Sequence, residues 1–178
     1  MTRRIAHRAR NQGGFTLVEL IIASAIGVLL MTGLTSVVFT SYKAWTTASS
    51  RVEASSQIRS FQYFAYDDFA RSTLPTATGC TISTPCTVQP ITLTGLQVGN
   101  SQAPAPAPYS VAYTWDGSTF VDRQVGSGPA RHAASDVTAF SWYVDGSAPH
   151  QTIVIAMTVT VQSYSESQTM QFFPELNP

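Results

Sequence analysis

Few residues in this chain could do chemistry, and the most telling is a lone acid. Glu19 sits in GGFTLVELIIASAIGVLLMTGL, residues 13–34, where every neighbour is apolar, small or hydroxylic. A charge near the centre of a bilayer costs at least ~2.5 kcal/mol on insertion scales, so an acid there is a functional residue in need of a partner. Two cysteines, Cys80 and Cys86, bracket CTISTPC. Two thiols with no histidine nearby are too few for a structural zinc site. In an oxidising compartment they would close a small disulfide loop worth about 2 kcal/mol; two free buried thiols are the alternative. Adjacent Asp67 and Asp68 could suggest an acid/base pair or a calcium ligand, yet successive helical residues point about 100° apart and do not share a site easily. His132 and His150 lie in polar, turn-like stretches, and His7 lies near the start of the chain. No serine occupies a G-x-S-x-G elbow and no glycine loop is built to cradle phosphate. Catalytic residues, a metal site and a cofactor are therefore not expected, and an enzyme is disfavoured.

The elements that carry these residues follow from periodicity. From Phe15 to Tyr42 the only charge is Glu19, and about 20 apolar residues at 1.5 Å rise cross a ~30 Å hydrocarbon core. Ala23 and Gly27 form a small-xxx-small pair that allows close helix approach in lipid. Beyond Tyr42, Trp45, Val52, Ile58, Phe61, Phe64 and Phe69 recur at helical steps, which predicts an amphipathic continuation. Leu74-Pro75 ends the helix, because proline cannot continue the hydrogen-bond ladder and disfavours helix at the residue before it. Such a helix is too long to belong to a compact globule throughout. Half spans lipid and half packs on a head.

After Cys86 the period becomes two. Val111, Tyr113 and Trp115 alternate up to an Asp116-Gly117 turn; Phe140, Trp142 and Val144 alternate up to Asp145-Gly146. Ile153, Ile155, Met157, Val159 and Val161 predict a strand with one buried face. APAPAP at 103–108 reads as a stiff surface connector. The expected fold class is α+β: a long N-terminal helix whose second half packs on an antiparallel β-sheet head.

Charge supplies the orientation. The formal charge is zero, but Arg3, Arg4, Arg8 and Arg10 precede Gly14 without any acid, and the remainder carries six cations against ten acids, a net −4. The basic end should stay cytoplasmic and the rest should be exported. A mildly acidic exported part with no cationic run argues against nucleic-acid binding as its main task.

RNQGGFTLVELIIASAIGVLL places small residues between the basic stretch and the apolar run, the reverse of an ordinary secretory signal. It resembles the leader and first helix of type IV pilins, minor pilins and type II secretion pseudopilins. SSQIRSFQYFAYDDFARS, with Asp68-Phe69-Ala70-Arg71, is similar to PilW-type minor pilins and GspJ-type pseudopilins. The resemblance implies a prepilin peptidase that cuts between Gly14 and Phe15 and N-methylates Phe15. It implies an inner-membrane protein, single-pass with its head exported, that joins a pilus or pseudopilus through its N-terminal helix and other pilins. It makes Glu19 the fifth residue of the mature chain, about 6 Å of helix rise from the new amine. Glu19 then pairs with the Phe15 amine of a neighbour, or with its own terminus, and both can hold at different stages. The implied layout is a leader at 1–14, a transmembrane half at 15–42, an amphipathic half at 43–74 and a β-rich head at 75–178. A minor pilin of a type IV pilus or its tip complex is the leading reading; a secretion pseudopilin and a tip adhesin or DNA-capture subunit are the alternatives.

Overall fold

The computed structural model describes residues 14–75, 79–97, 107–147 and 150–174. The predicted leader up to residue 13 and residues 103–106 of the proline connector lie outside them. Helix α1 spans Leu17–Ala70. Seven strands follow: β1 Ile91–Gln97, β2 Ala107–Trp115, β3 Val121–Val125, β4 Arg131–Ala134, β5 Val137–Asp145, β6 Thr152–Val161 and β7 Tyr164–Phe172. The chain divides into two units, Met1–Trp45 and Thr46–Pro178.

In the first unit the described residues are essentially all helix. The helix is long and apolar enough to cross a membrane, with a most apolar window of mean hydropathy 2.3, none of it buried. Several of its hydroxyls turn back onto the helix backbone. Thr32 donates to the Val28 carbonyl (2.7 Å), Thr35 to Met31 (2.8 Å) and Thr40 to Ser36 (2.9 Å), so each is satisfied within its own turn.

The second unit has the α+β architecture, with its strands in two antiparallel sheets rather than one: β1-β2-β3-β4 and β5-β6-β7. Phe61 of α1 joins them, lying edge-on to Tyr113 of β2 (centroids 5.5 Å apart) and to Phe140 of β5 (6.0 Å). Phe69 stacks on Phe172 of β7 at 4.6 Å. The buried helix face is Ala54, Ile58, Phe61, Ala65, Asp68 and Phe69. This corrects the face read from the large residues: Trp45 and Val52 are 65% and 69% exposed, and Phe64 is partly exposed. Steps of four and three from Ala54 define one stripe, on which Ile58, Phe61 and Phe69 supply the bulk and the alanines let the sheets approach closely.

The helix also ends before Pro75. Ser72 bridges to Gly95, and Thr73 donates its amide to the Thr94 carbonyl (2.7 Å), so the chain leaves the helix to pair with the β1 edge. Gly95 is required by this contact, since a Cβ there would lie 2.2 Å from the Arg71 carbonyl oxygen. The two turns expected at aspartate-glycine steps do connect β2 to β3 and β5 to β6. Asp116 accepts from the amides of Thr119 (2.7 Å), Ser118 (2.8 Å) and Phe120 (3.0 Å), and these bonds lower its carboxyl to about 2.

The acid and the base of the Asp68-Phe69-Ala70-Arg71 pattern do not pair with each other. Arg71 pairs with Asp67 (2.8 Å, i,i+4), while Asp68 is buried to 1% exposure. Arg123 of β3 holds the Asp68 carboxylate in a fork, Nε to Oδ2 at 2.6 Å and Nη2 to Oδ1 at 2.8 Å. Tyr113 donates to Oδ2 at 2.5 Å and Tyr109 donates to Oδ1. A buried carboxylate is tolerable only when its lone pairs are filled in this way, and removing one partner of such a pair costs about 3–5 kcal/mol.

Burial, reinforced by the hydrogen bond to Asp68, pushes the Tyr109 phenol up to about 12, and the same causes raise Tyr113. A raised folded-state value favours the neutral phenol, so the stabilisation is fully present below the ordinary tyrosine value of ~10 and is lost as pH rises through about 12. Denaturant unfolding of the full chain in detergent should show its midpoint falling between pH 10 and 12, with late tyrosinate absorbance at 295 nm. Tyr109→Phe should flatten part of that fall; an unchanged slope would remove Tyr109 from the linkage.

Candidate functional site

Thr16 is the N-cap of α1. Its carbonyl accepts the first helical bond from Leu20 (3.2 Å), and its hydroxyl oxygen accepts from the Glu19 amide (3.3 Å). Glu19 reaches back: its Oε2 accepts from the Thr16 amide (3.0 Å) and the Thr16 hydroxyl (2.9 Å). This is a reciprocal capping box, and it places a carboxylate in the first turn, where the helix dipole favours negative charge. The signature T-x-x-E was present in the sequence as Thr16-Leu-Val-Glu19; reading Glu19 only as an intramembrane acid passed over it. Glu19 Oε1 accepts no hydrogen bond among the described residues. One oxygen is committed within the chain and one is open.

The predicted junction, Gly14-Phe15, lies immediately before this cap. Phe15 is 84% exposed. A Cβ built on Gly14 would meet nothing within 4 Å. Packing among the described residues therefore does not require glycine at residue 14. Breaking the Gly14–Phe15 bond would leave the Thr16 amide intact, so the capping box survives a cut at that position. Farther along the same unit, Ser24, Gly27, Met31 and Thr35 line a shallow furrow on one helix face. A Cβ at Gly27 also meets nothing within 4 Å, which leaves its face open to a neighbouring helix.

Cys80 and Cys86 are joined in a disulfide, with Cα atoms 5.2 Å apart. The loop it closes lies along the β5 edge. Cys86 exchanges both backbone bonds with Trp142 (2.9 and 2.8 Å), Val144 donates to the Cys80 carbonyl (3.1 Å), and the Trp142 indole donates to the Gln89 carbonyl (2.9 Å). The bridge thus holds a short cap on a strand that would otherwise be an open edge. His132 lies against Asp122 (2.5 Å) and stacks on Phe120, while His150 lies in the stretch between β5 and β6. Neither joins a ligand cluster: among the described residues no group of three or more His, Cys, Asp or Glu could hold a metal ion.

A family model described as the prokaryotic N-terminal methylation motif matches residues 9–35, a span that contains Gly14, Phe15, Thr16 and Glu19. No curated protein and no solved structure matches the chain. The motif indicates a type IV pilin-like or pseudopilin protein, and with the apolar helix it fits a membrane-anchored chain. The match ends at residue 35 and says nothing of the head.

Alkylation of protein taken from native membranes should leave both cysteines unlabelled until a reductant is added, after which two labels appear. Replacing both cysteines with serine should cost about 2 kcal/mol of stability, measured by thermal unfolding, because the loop capping β5 is released.

Proposed function

We propose that this chain is a minor pilin or pseudopilin, cut by a prepilin peptidase between Gly14 and Phe15, N-methylated at Phe15 and built into a type IV filament or its tip complex. The observation that carries the reading is the mismatch at Gly14. Among the described residues glycine meets no steric need there, and it stands directly before an exposed Phe15 and inside the methylation motif, which supports a demand from an external reader. In this reading residues 1–14 are a leader, residues 15–42 are the membrane and assembly half of the helix, and residues 43–74 carry it into a head that is exported across the inner membrane.

Glu19 then has two duties. Its Oε2 caps its own helix, and its open Oε1 meets the methylated amine of Phe15 on a neighbouring subunit. Each charge loses water only when both partners are present, which makes the pair a register device more than a source of stability. The partners are the peptidase, the membrane and other pilins or pseudopilins. DNA capture stays disfavoured by the acidic head, and no observation favours it.

Intact-mass spectrometry of assembled wild-type protein should give a chain that begins at residue 15 with one added methyl group. Gly14→Val should accumulate at the full mass, since a side chain that this structure tolerates would still block the peptidase. Residues 1–14 retained on assembled wild-type protein would overturn the assignment.

A further inference from the structure

Among the described residues, each sheet edge in the head but one is closed or short. Residues 72 and 73 pair with β1, the disulfide loop pairs with β5, and β4 has only four residues. β7 is nine residues long and, among the described strands, pairs only with β6. Its turn with β6 is a two-residue loop closed by Val161 and Tyr164, so Tyr164, Glu166, Gln168, Met170 and Phe172 bond inward. Ser165, Ser167, Thr169 and Gln171 direct their amides and carbonyls outward, where the described residues supply no backbone partner. A long free edge is a template for another strand.

A wall stands beside this edge. The flank of α1 carrying Arg59, Gln62, Tyr63 and Tyr66 rises along the C-terminal half of β7, and a groove of about 420 Å³ runs between them down to Met170 and Phe172. Tyr63 and Tyr66 are 79% and 75% exposed, an unusual state for two aromatics on one helix flank. A strand edge beside a helix flank is a geometry that takes an extended peptide by strand addition, with backbone bonds for affinity and side-chain pockets for choice. Arg59 is the only charged residue lining the groove, and it has no acidic partner among the described residues. The nearby acids are occupied, Asp67 by Arg71 and Glu166 by Ser55 (2.8 and 3.1 Å).

We propose that the β7 edge and this flank of α1 bind an extended segment of a different protein chain, added as a strand, with an acidic side chain set against Arg59. Charge complementarity selects the occupant. A second copy of this chain pairing edge to edge would present its own β7, whose single acid is already held by Ser55. An oligosaccharide could stack on the tyrosines but would leave the outward row of amides and carbonyls without a matching backbone.

The test uses the full-length protein in detergent micelles and fluorescent nonapeptides of alternating valine and threonine with Glu, Gln or Lys at the centre. By anisotropy the Glu peptide should bind about tenfold more tightly than the Gln peptide, as a charge-assisted bond warrants, and the Lys peptide more weakly still. Arg59→Ala should erase the difference between Glu and Gln. N-methylation of alternate peptide amides should weaken binding at least about tenfold, and so should Thr169→Pro, which removes an outward amide while sparing the β6 ladder. Thr169→Ala should bind as wild type, which separates loss of the edge from loss of the fold. Equal binding of methylated and unmethylated peptides, or full binding by Thr169→Pro, would overturn strand addition. Self-association that Thr169→Pro abolishes, or binding of a β-linked N-acetylglucosamine tetramer in place of every peptide, would overturn the choice of occupant.

Discussion

A carboxylate taken into an apolar helix has to be compensated, and much of this protein's N-terminal design answers to that constraint. In the proposed reading Glu19 enters hydrocarbon, where a charge at the bilayer centre costs at least ~2.5 kcal/mol. The capping box with Thr16 and the helix dipole return part of that cost. Both come from the chain's own first turn, and both leave a full negative charge with one open oxygen. A cation is still wanted. In the proposed reading proteolysis supplies it, because a cut after Gly14 creates an amine one residue before the N-cap without touching the bonds that hold Glu19.

The head solves a second problem of burial by a different route. Asp68 is enclosed by α1, β2 and β3, and its two oxygens take four donors from three side chains. Filling every lone pair turns a costly buried charge into a directional tie, while Phe61 next to it supplies undirected burial against both sheets. Hydrophobic contact brings helix and sheets together, and the Asp68–Arg123 fork permits only one register. The disulfide loop and the Ser72–Thr73 segment then close the edges that the two sheets leave at β5 and β1.

Much of this was legible in the sequence because it is written in local pattern. The apolar run, the alternation over 153–161 and the aspartate-glycine turns gave the membrane-type helix, β6 and two of the hairpins, since each depends on residues close together in the chain. What was not legible depends on distant partners. β7 is YSESQTMQF, largely polar, and it is a strand because β6 pairs with it, not because its own residues prefer the state. Asp68 looks like a surface acid beside Asp67 until Arg123, 55 residues on, is brought to it. The packed face of α1 was legible only in part: Ile58, Phe61 and Phe69 are buried as expected, but bulky Trp45 and Val52 lie off the packed stripe, which Ala54 and Ala65 complete. At the N-terminus the position of Glu19 was legible, and its tie to Thr16 was missed although the signature was in plain view.

Crosslinking between subunits through cysteines placed in the membrane helix, compared for wild type, Glu19→Gln and Glu19→Val, tests pairing in trans most directly. Trans pairing predicts that all three variants insert and are processed, since the peptidase reads the junction rather than the acid. Crosslinking should then fall from wild type to Glu19→Gln to Glu19→Val, because the neighbour's amine loses first its charge partner and then any acceptor. Equal crosslinking in all three, with normal incorporation into filaments, would contradict it and leave Glu19 as a helix cap alone.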